Sequence, residues 1–414
     1  MSAEKERLIE DRDQKKNWRK FGPYLTERQW GTVREDYSAD GDAWEFISHD
    51  AARSKAYRWG EEGIGGVCDD RQLLCFSLGF WNKKDPIIKE RMFGLTNGEG
   101  NHGEDCKEHY HFLDSTPTHS YMKMLYKYPQ EEFPYKELLE ENKRRSKLEP
   151  EYELIDTGIF QENKYFDIFI EYAKADADDL LIRITVNNRG AKPSSLNVLP
   201  HLWFRNTWAW GYDPYEPELY LDDTGVIKIN HRDLAGYYLY YEGKAQPLFC
   251  NNETNTGRLY GHYQPGTFKD GINDYLVDDQ PDCVSPANKG TRAAINFDTT
   301  IEGGGSEVFR LRLAPGFMTA PFSDFNATLD QRIAEADEFF GGLQKEINDP
   351  DKQNIQRQAL AGMMWSKQFY YYDVSKWLRG DPALPPPPAE RKQGRNKDWK
   401  HLNNADIVSM PDRS

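Results

Sequence analysis

Phe166-Asp167-Ile168-Phe169-Ile170-Glu171-Tyr172 is the stretch on which the fold assignment turns. Its residues Phe166, Ile168, Ile170 and Tyr172 fall on one face of an extended strand, because successive side chains point to opposite sides of a sheet. An acidic turn at Asp176, Asp178 and Asp179 leads into a second alternating run, Ile182, Ile184 and Val186. Asn187-Asn188-Arg189-Gly190 reads as a further turn that supplies positive φ, and Leu196, Val198, Leu202 and Phe204 resume the extended pattern. Adjacent strands joined by such short loops predict antiparallel pairing.

The same pattern extends outward in both directions. Upstream, Leu74, Phe76, Leu78 and Phe80 alternate, and Pro86 closes that strand; downstream, Leu219 to Leu221, Tyr237 to Tyr241 and Phe309, Leu311 and Leu313 repeat it. Residues 21 to 320 therefore read as a β domain without the interleaved helices of a parallel α/β fold. The period changes after Pro315 and Pro321. Leu329, Ile333, Ala336 and Phe340 predict a helix near 328 to 343, with Thr328 and Gln331 as a capping box and Gly341 and Gly342 able to interrupt it. Ala361, Trp365, Phe369 and Tyr372 predict a second helix near 354 to 376. Residues 1 to 20 read as a charged lead-in arm, either a helix or a loose segment. Residues 377 to 414 read as a proline-rich, mostly irregular tail, whose run Pro385 to Pro388 suits a stiff connector better than a ligand for an aromatic groove.

Composition narrows the function classes. With 414 residues, 38% apolar plus 32 Gly, the chain can bury a real core. Its 24 Tyr, 21 Phe and 11 Trp suit sheet cores and platforms for sugar rings. A formal charge of −15 argues against a nucleic acid partner. Five cysteines without a C-x-x-C pair argue against a disulfide scaffold or structural zinc, and the charged start Glu4-Lys5-Glu6-Arg7 against a secretory signal or membrane span. A cytoplasmic setting is the expectation.

Three clusters carry candidate chemistry. Asp36, Tyr37, Trp44, Arg58 and Trp59 belong to a segment mixing Trp, Tyr, Arg and Asp, which equally suits ion pairs that pin loops and contact with a polyhydroxylated ligand. Glu104, Asp105 and His111 lie in a polar run with His102, His109 and Glu108. A two-histidine, two-carboxylate metal site is sterically conceivable there, but a polar rim in which Glu104 or Glu108 holds an Arg is preferred, since no recognised ligand spacing is present. Trp203, Arg205, Trp208 and Trp210 end an apolar strand; they line a carbohydrate cleft or form a seam with another domain, and a seam is favoured. No nucleophile elbow, phosphate loop or dinucleotide fingerprint occurs, so no cofactor is expected.

Longer motifs carry a family resemblance. Arg28-Gln29-Trp30-Gly31-Thr32-Val33-Arg34-Glu35-Asp36-Tyr37-Ser38, Tyr57-Arg58-Trp59-Gly60, Gly98-Glu99-Gly100-Asn101-His102-Gly103-Glu104-Asp105, Pro117-Thr118-His119-Ser120-Tyr121 and Pro200-His201-Leu202-Trp203-Phe204-Arg205-Asn206-Thr207-Trp208 are among them. They resemble the N-terminal half of bacterial proteins related to glycoside hydrolase family 63, the mannosyl-oligosaccharide glucosidase family. The resemblance implies an antiparallel super-β-sandwich, an α-helical linker and the first helix of an incomplete (α/α)6 barrel. It also implies an inverting α-glucosidase whose catalytic acid and base lie beyond residue 414, so that Asp412 is not the acid and this chain holds no catalytic residue. Expected partners are an α-glucoside or oligosaccharide and a separate (α/α)6 catalytic chain. The alternative is a free-standing carbohydrate-binding or protein-interaction module.

Overall fold

The computed structural model describes residues 1–29, 47–96, 98–234, 236–382, 385–394 and 396–409. The alternating runs form two large antiparallel sheets. One holds six strands in the spatial order Phe21–Gly22, Ile64–Asp69, Leu74–Trp81, Ser194–Phe204, Arg292–Ile301 and Gln246–Cys250. The other holds nine, in the order Lys289–Gly290, Glu218–Leu221, Ile227–Asn230, Tyr237–Tyr241, Ser306–Pro315, Asp179–Asn188, Tyr165–Asp176, Tyr121–Pro129 and Tyr110–Ser115.

In the second sheet Ile168 faces Val186 and Tyr172 faces Ile182, the register that puts both apolar runs on one face. That face meets Leu74, Phe76, Leu78 and Phe80 of the first sheet in one continuous apolar cluster. The turn after Asn188 differs from expectation. Gly190 does not take positive φ; a Cβ there would lie 2.9 Å from Gln130 Oε1, so a larger residue would displace that side chain's end.

Of the two readings of residues 1 to 20, the lead-in helix is the one the structure shows. Ala3–Arg12 is a helix, and Glu4 is fully buried, accepting from Thr118 N at 2.7 Å, Thr118 Oγ1 at 2.9 Å and Ser120 Oγ at 2.7 Å. Lys174 completes the anchor from below, its Nζ donating to the carbonyls of Trp18 (2.5 Å), Phe21 (2.6 Å) and Thr118 (3.3 Å). A charged segment thus docks because each buried charge meets several partners.

After the sheets come the helices Phe325–Leu343 and Pro350–Trp365. The first starts one turn earlier than the Thr328 capping box implied, because Phe325 itself packs with Leu329 and Ala336 on Tyr121, Ala173 and Leu181; it runs through Gly341 and Gly342. The second begins at Pro350, where the missing N–H costs nothing, with the Asp349 carboxylate accepting from Asp351 N at 3.0 Å. It ends at Trp365, short of the expected residue 376. Phe369 and Tyr372 are instead in the strand Lys367–Asp373, which pairs antiparallel with Asn403–Ser409. The run Phe369-Tyr370-Tyr371-Tyr372 is aromatic throughout, a composition that favours a pleated, half-buried surface. The tail, expected to be mostly irregular, contains one paired strand among its described residues, Asn403–Ser409. Among the described residues the helices form no barrel, and no helix is long and apolar enough to cross a membrane.

Candidate functional site

The seam between the six-stranded sheet and the strand Lys367–Asp373 gathers most of the candidate aromatic and arginine residues. Trp203, near the end of its strand, is 1% exposed and packs with Tyr24, Leu25, Cys68, Cys75 and Phe369, while the Arg292 guanidinium lies 5.0 Å from its ring centroid. Arg205 continues the chain outward. Its Nε donates to Gln72 O at 3.2 Å and its Nη1 to Arg58 O at 3.4 Å, and its guanidinium sits over Phe369 (5.2 Å), Tyr371 (5.4 Å) and Trp210 (5.5 Å). Arg58, also buried, lies 4.5 Å over Trp59 and 5.2 Å over Trp210. Trp210 and Tyr371 stack at 5.8 Å with an interplanar angle of 2°, and Trp59 meets Tyr371 at 5.2 Å.

This is a cation–π stack in which two guanidiniums share four aromatic rings. Burial pulls the Arg205 pKa down and the Cys75, Glu61 and Tyr371 charges act against that shift, so the cation is held among rings and carbonyls. The stack corrects one expectation: Trp203 and Trp210 do not form an exposed patch awaiting another domain, because Phe369 and Tyr371 of this same chain cover them. An aromatic seam exists, and it is intramolecular.

Beside the seam lies a cavity of about 120 Å³ lined by Tyr57, Arg58, Asn206, Trp210, Glu253 and Asp381, among others. Glu253 accepts from Trp208 Nε1 at 3.0 Å, which orients both side chains. Asn206 is held by Asn252 O at 2.9 Å and by Ala209 N at 3.2 Å. Arg58 Nε and Nη2 are buried and have no hydrogen-bond partner among the described residues. The cavity thus combines guanidinium donors with amide and carboxylate groups, a set suited to hydroxyl-dense ligands. Its indole is committed on its faces to Arg58, Arg205 and Tyr371, so recognition there is by hydrogen bonding more than by stacking.

The other candidates lie apart from this seam. Glu104 is half-buried in the loop before Asp105, and His111 is exposed on Tyr110–Ser115, an edge strand of the nine-stranded sheet. Asp105 belongs to a carboxylate trio with Glu151 and Glu153, and the Lys107 ammonium occupies its centre at 2.5, 2.5 and 2.8 Å. This trio is the one grouping with metal-ligand proximity among the described residues, and it includes no histidine. His102 contacts Glu149 O at 2.7 Å, and His109 packs edge-on to Phe160. Glu108 holds Lys89 at 2.7 Å, where an arginine was expected. Asp36, Tyr37, Trp44 and Asp412 lie outside the described residues. Asp50, in the same stretch of sequence, binds both Arg53 (3.1 Å) and Arg258 (2.7 Å), ion pairs of the kind that pin loops.

Sequence reasoning missed Tyr371 and Glu253. A tyrosine in an aromatic run was assigned to a helix, and no local signal sets Glu253 apart from the chain's other carboxylates.

No protein-family profile matches the chain. The Saccharomyces cerevisiae protein described as "Uncharacterized protein YMR196W" is 39% identical over 461 residues, an alignment that takes in 100% of this chain and 42% of the yeast protein. The chain thus spans well under half the length of that curated relative. A solved structure described as a putative kojibiose phosphorylase from human microbiome aligns at 9% identity with a TM-score of 0.26, over 81% of this chain and 40% of that one. A likeness at that level carries no argument about fold or activity.

Proposed function

We propose that this chain is the super-β-sandwich and helical-linker portion of an inverting α-glucosidase-like glycoside hydrolase of the family 63 type, and that it binds but does not cleave its sugar. The observation that carries the proposal is the cavity in which Arg58, Asn206, Trp210 and Glu253 converge. A sugar hydroxyl that accepts from the Arg58 guanidinium and donates to Glu253 would be oriented from both sides. The motif resemblance supplies the reaction class. The order of two apolar-faced sheets followed by amphipathic helices agrees with it at the level of architecture.

Inversion needs an acid to protonate the leaving oxygen and a base to activate water on the opposite face of the sugar. The resemblance assigns both to an (α/α)6 barrel outside these residues. Ground-state binding at the Arg58 cavity would position the sugar and would not lower the barrier unless it tightened in the transition state. The test compares glucose release from α-linked disaccharides by residues 1 to 414, by a protein extended through the barrel, and by the two halves mixed. Release only when the barrel is present supports the proposal. Hydrolysis by residues 1 to 414 that disappears on substituting carboxylates of this chain refutes it.

A further inference from the structure

A second cavity, of about 370 Å³, is lined by Asp11, Asn17, Arg19, Tyr24, Asp70, Lys367, Ile407 and Ser409. Most of its charged and polar groups are already spent. Asp11 accepts from Arg19 N at 3.1 Å and Arg19 Nε at 2.5 Å, Asp70 accepts from Asn17 Nδ2 at 3.2 Å, and the Tyr24 hydroxyl donates to Arg19 O at 2.5 Å. Lys367 is the exception. Among the described residues its half-buried Nζ has one hydrogen-bond partner, His119 Nε2 at 3.2 Å, and no carboxylate.

His119 offers no counter-charge. The ring is fully buried, with Ser115 Oγ 3.4 Å from Nδ1, and burial, together with the charges of Lys367 and Lys174, holds it neutral. The groups facing Lys367 are therefore a neutral imidazole, the Arg19 cation with its own Asp11 partner, Asp70 bound by Asn17, and Lys174 beneath. Burial first, and the Arg19 charge second, pull the Lys367 pKa below its ordinary value. Lys174 shows the contrasting arrangement, a fully buried lysine whose Nζ meets three backbone carbonyls.

We propose that Lys367 is a reactive amine whose cavity admits a small hydroxylated aldehyde and bonds its carbonyl carbon. The ammonium first releases a proton to solvent. The free amine then adds to the carbonyl carbon, forming one C–N bond. The former carbonyl oxygen leaves as water with the two hydrogens carried by the amine, and the product is an imine. His119 acts as a positioning residue through its bond to Nζ, and Ser409, which lines the same cavity, is the polar residue left to meet the aldehyde's hydroxyls. Nothing in this chemistry depends on the glucosidase proposal.

The test treats the folded chain with glyceraldehyde and cyanoborohydride, whose hydride traps the imine as a secondary amine, and maps labelled lysines by peptide mass. Lys136, 85% exposed, is the reference, and buried Lys174 reports any unfolding. The expected result is labelling of Lys367 several-fold faster than Lys136 near neutral pH, with a rate that levels off at lower pH, and loss of that label alone in Lys367→Arg. Labelling of Lys367 no faster than Lys136, a coincident pH profile, or labelling that tracks Lys174 would overturn the proposal.

Discussion

Removing the Lys107 charge tests how far one buried ammonium holds the 93–157 region together. Its side chain is 1% exposed, and Asp105, Glu151 and Glu153 converge on Nζ from two separate segments. Lys107→Met retains most of the apolar stem and deletes the cation. Breaking a fully buried pair costs about 3–5 kcal/mol. Here the carboxylates are 29–43% exposed and water screens their mutual repulsion, so the expected loss is about 2–3 kcal/mol at pH 7. Burial opposes the charged lysine, but its bonds to Asp105, Glu151 and Glu153 outweigh burial and hold its pKa above the ordinary value. That stabilisation is fully present below the unfolded lysine value and is lost as pH rises through the folded one. The variant should show a second dependence. Its three carboxylates lack a counter-ion, so the deficit should shrink as acidification protonates them. Their ligand atoms lie within 4.8 Å of one another, so millimolar Ca²⁺ should restore part of the loss in the variant and do nothing for the parent. Chemical denaturation followed by tryptophan fluorescence reads each effect. A variant within about 0.5 kcal/mol of the parent, the range of an ordinary surface substitution, would refute the reasoning, as would a deficit that ignores both pH and Ca²⁺.

Two further perturbations probe the packing. Trp365 is fully buried, stacks on Phe112 at 5.1 Å and 12°, and donates to Asp114 O at 3.0 Å, so Trp365→Ala should cost about 3–5 kcal/mol. Amide exchange should then quicken in Pro350–Trp365 before Tyr165–Asp176, and a uniform increase would contradict the helix's local dependence on this indole. Burial lowers the Lys174 pKa to about 7, against about 10.4 for an unfolded lysine, so the unfolded chain binds more protons between those values. Parent stability should therefore gain a positive pH slope in that window that Lys174→Met lacks; equal slopes for the two proteins would show that the three carbonyl acceptors keep the lysine charged throughout.

The sheet runs were legible because period-two alternation survives whatever packs on the other face. Phe166 to Tyr172 needed only one buried side to declare itself, and the expected run at Tyr237 to Tyr241 coincides with a strand. The Trp365, Phe369 and Tyr372 spacing misled because it fits a helix by coincidence, while the local composition from Phe369 to Tyr372 pointed to a strand. Contacts decided between the two: Phe369 N donates to Tyr24 O at 3.0 Å and Tyr371 N to Trp59 O at 3.4 Å, bonds to residues more than 300 positions away that no window of sequence contains. The same distance in sequence explains the candidate site. Arg58, Trp59, Arg205 and Trp210 are recognisable by type, but their convergence depends on Tyr371 closing over them. Once it does, the aromatic faces that composition suggested for sugar rings are taken by guanidiniums and tyrosine, and what stays open to a ligand is the polar edge at Arg58, Asn206 and Glu253. Aromatic content alone therefore does not locate an open ligand surface in this chain, because the rings it counts are taken up in packing.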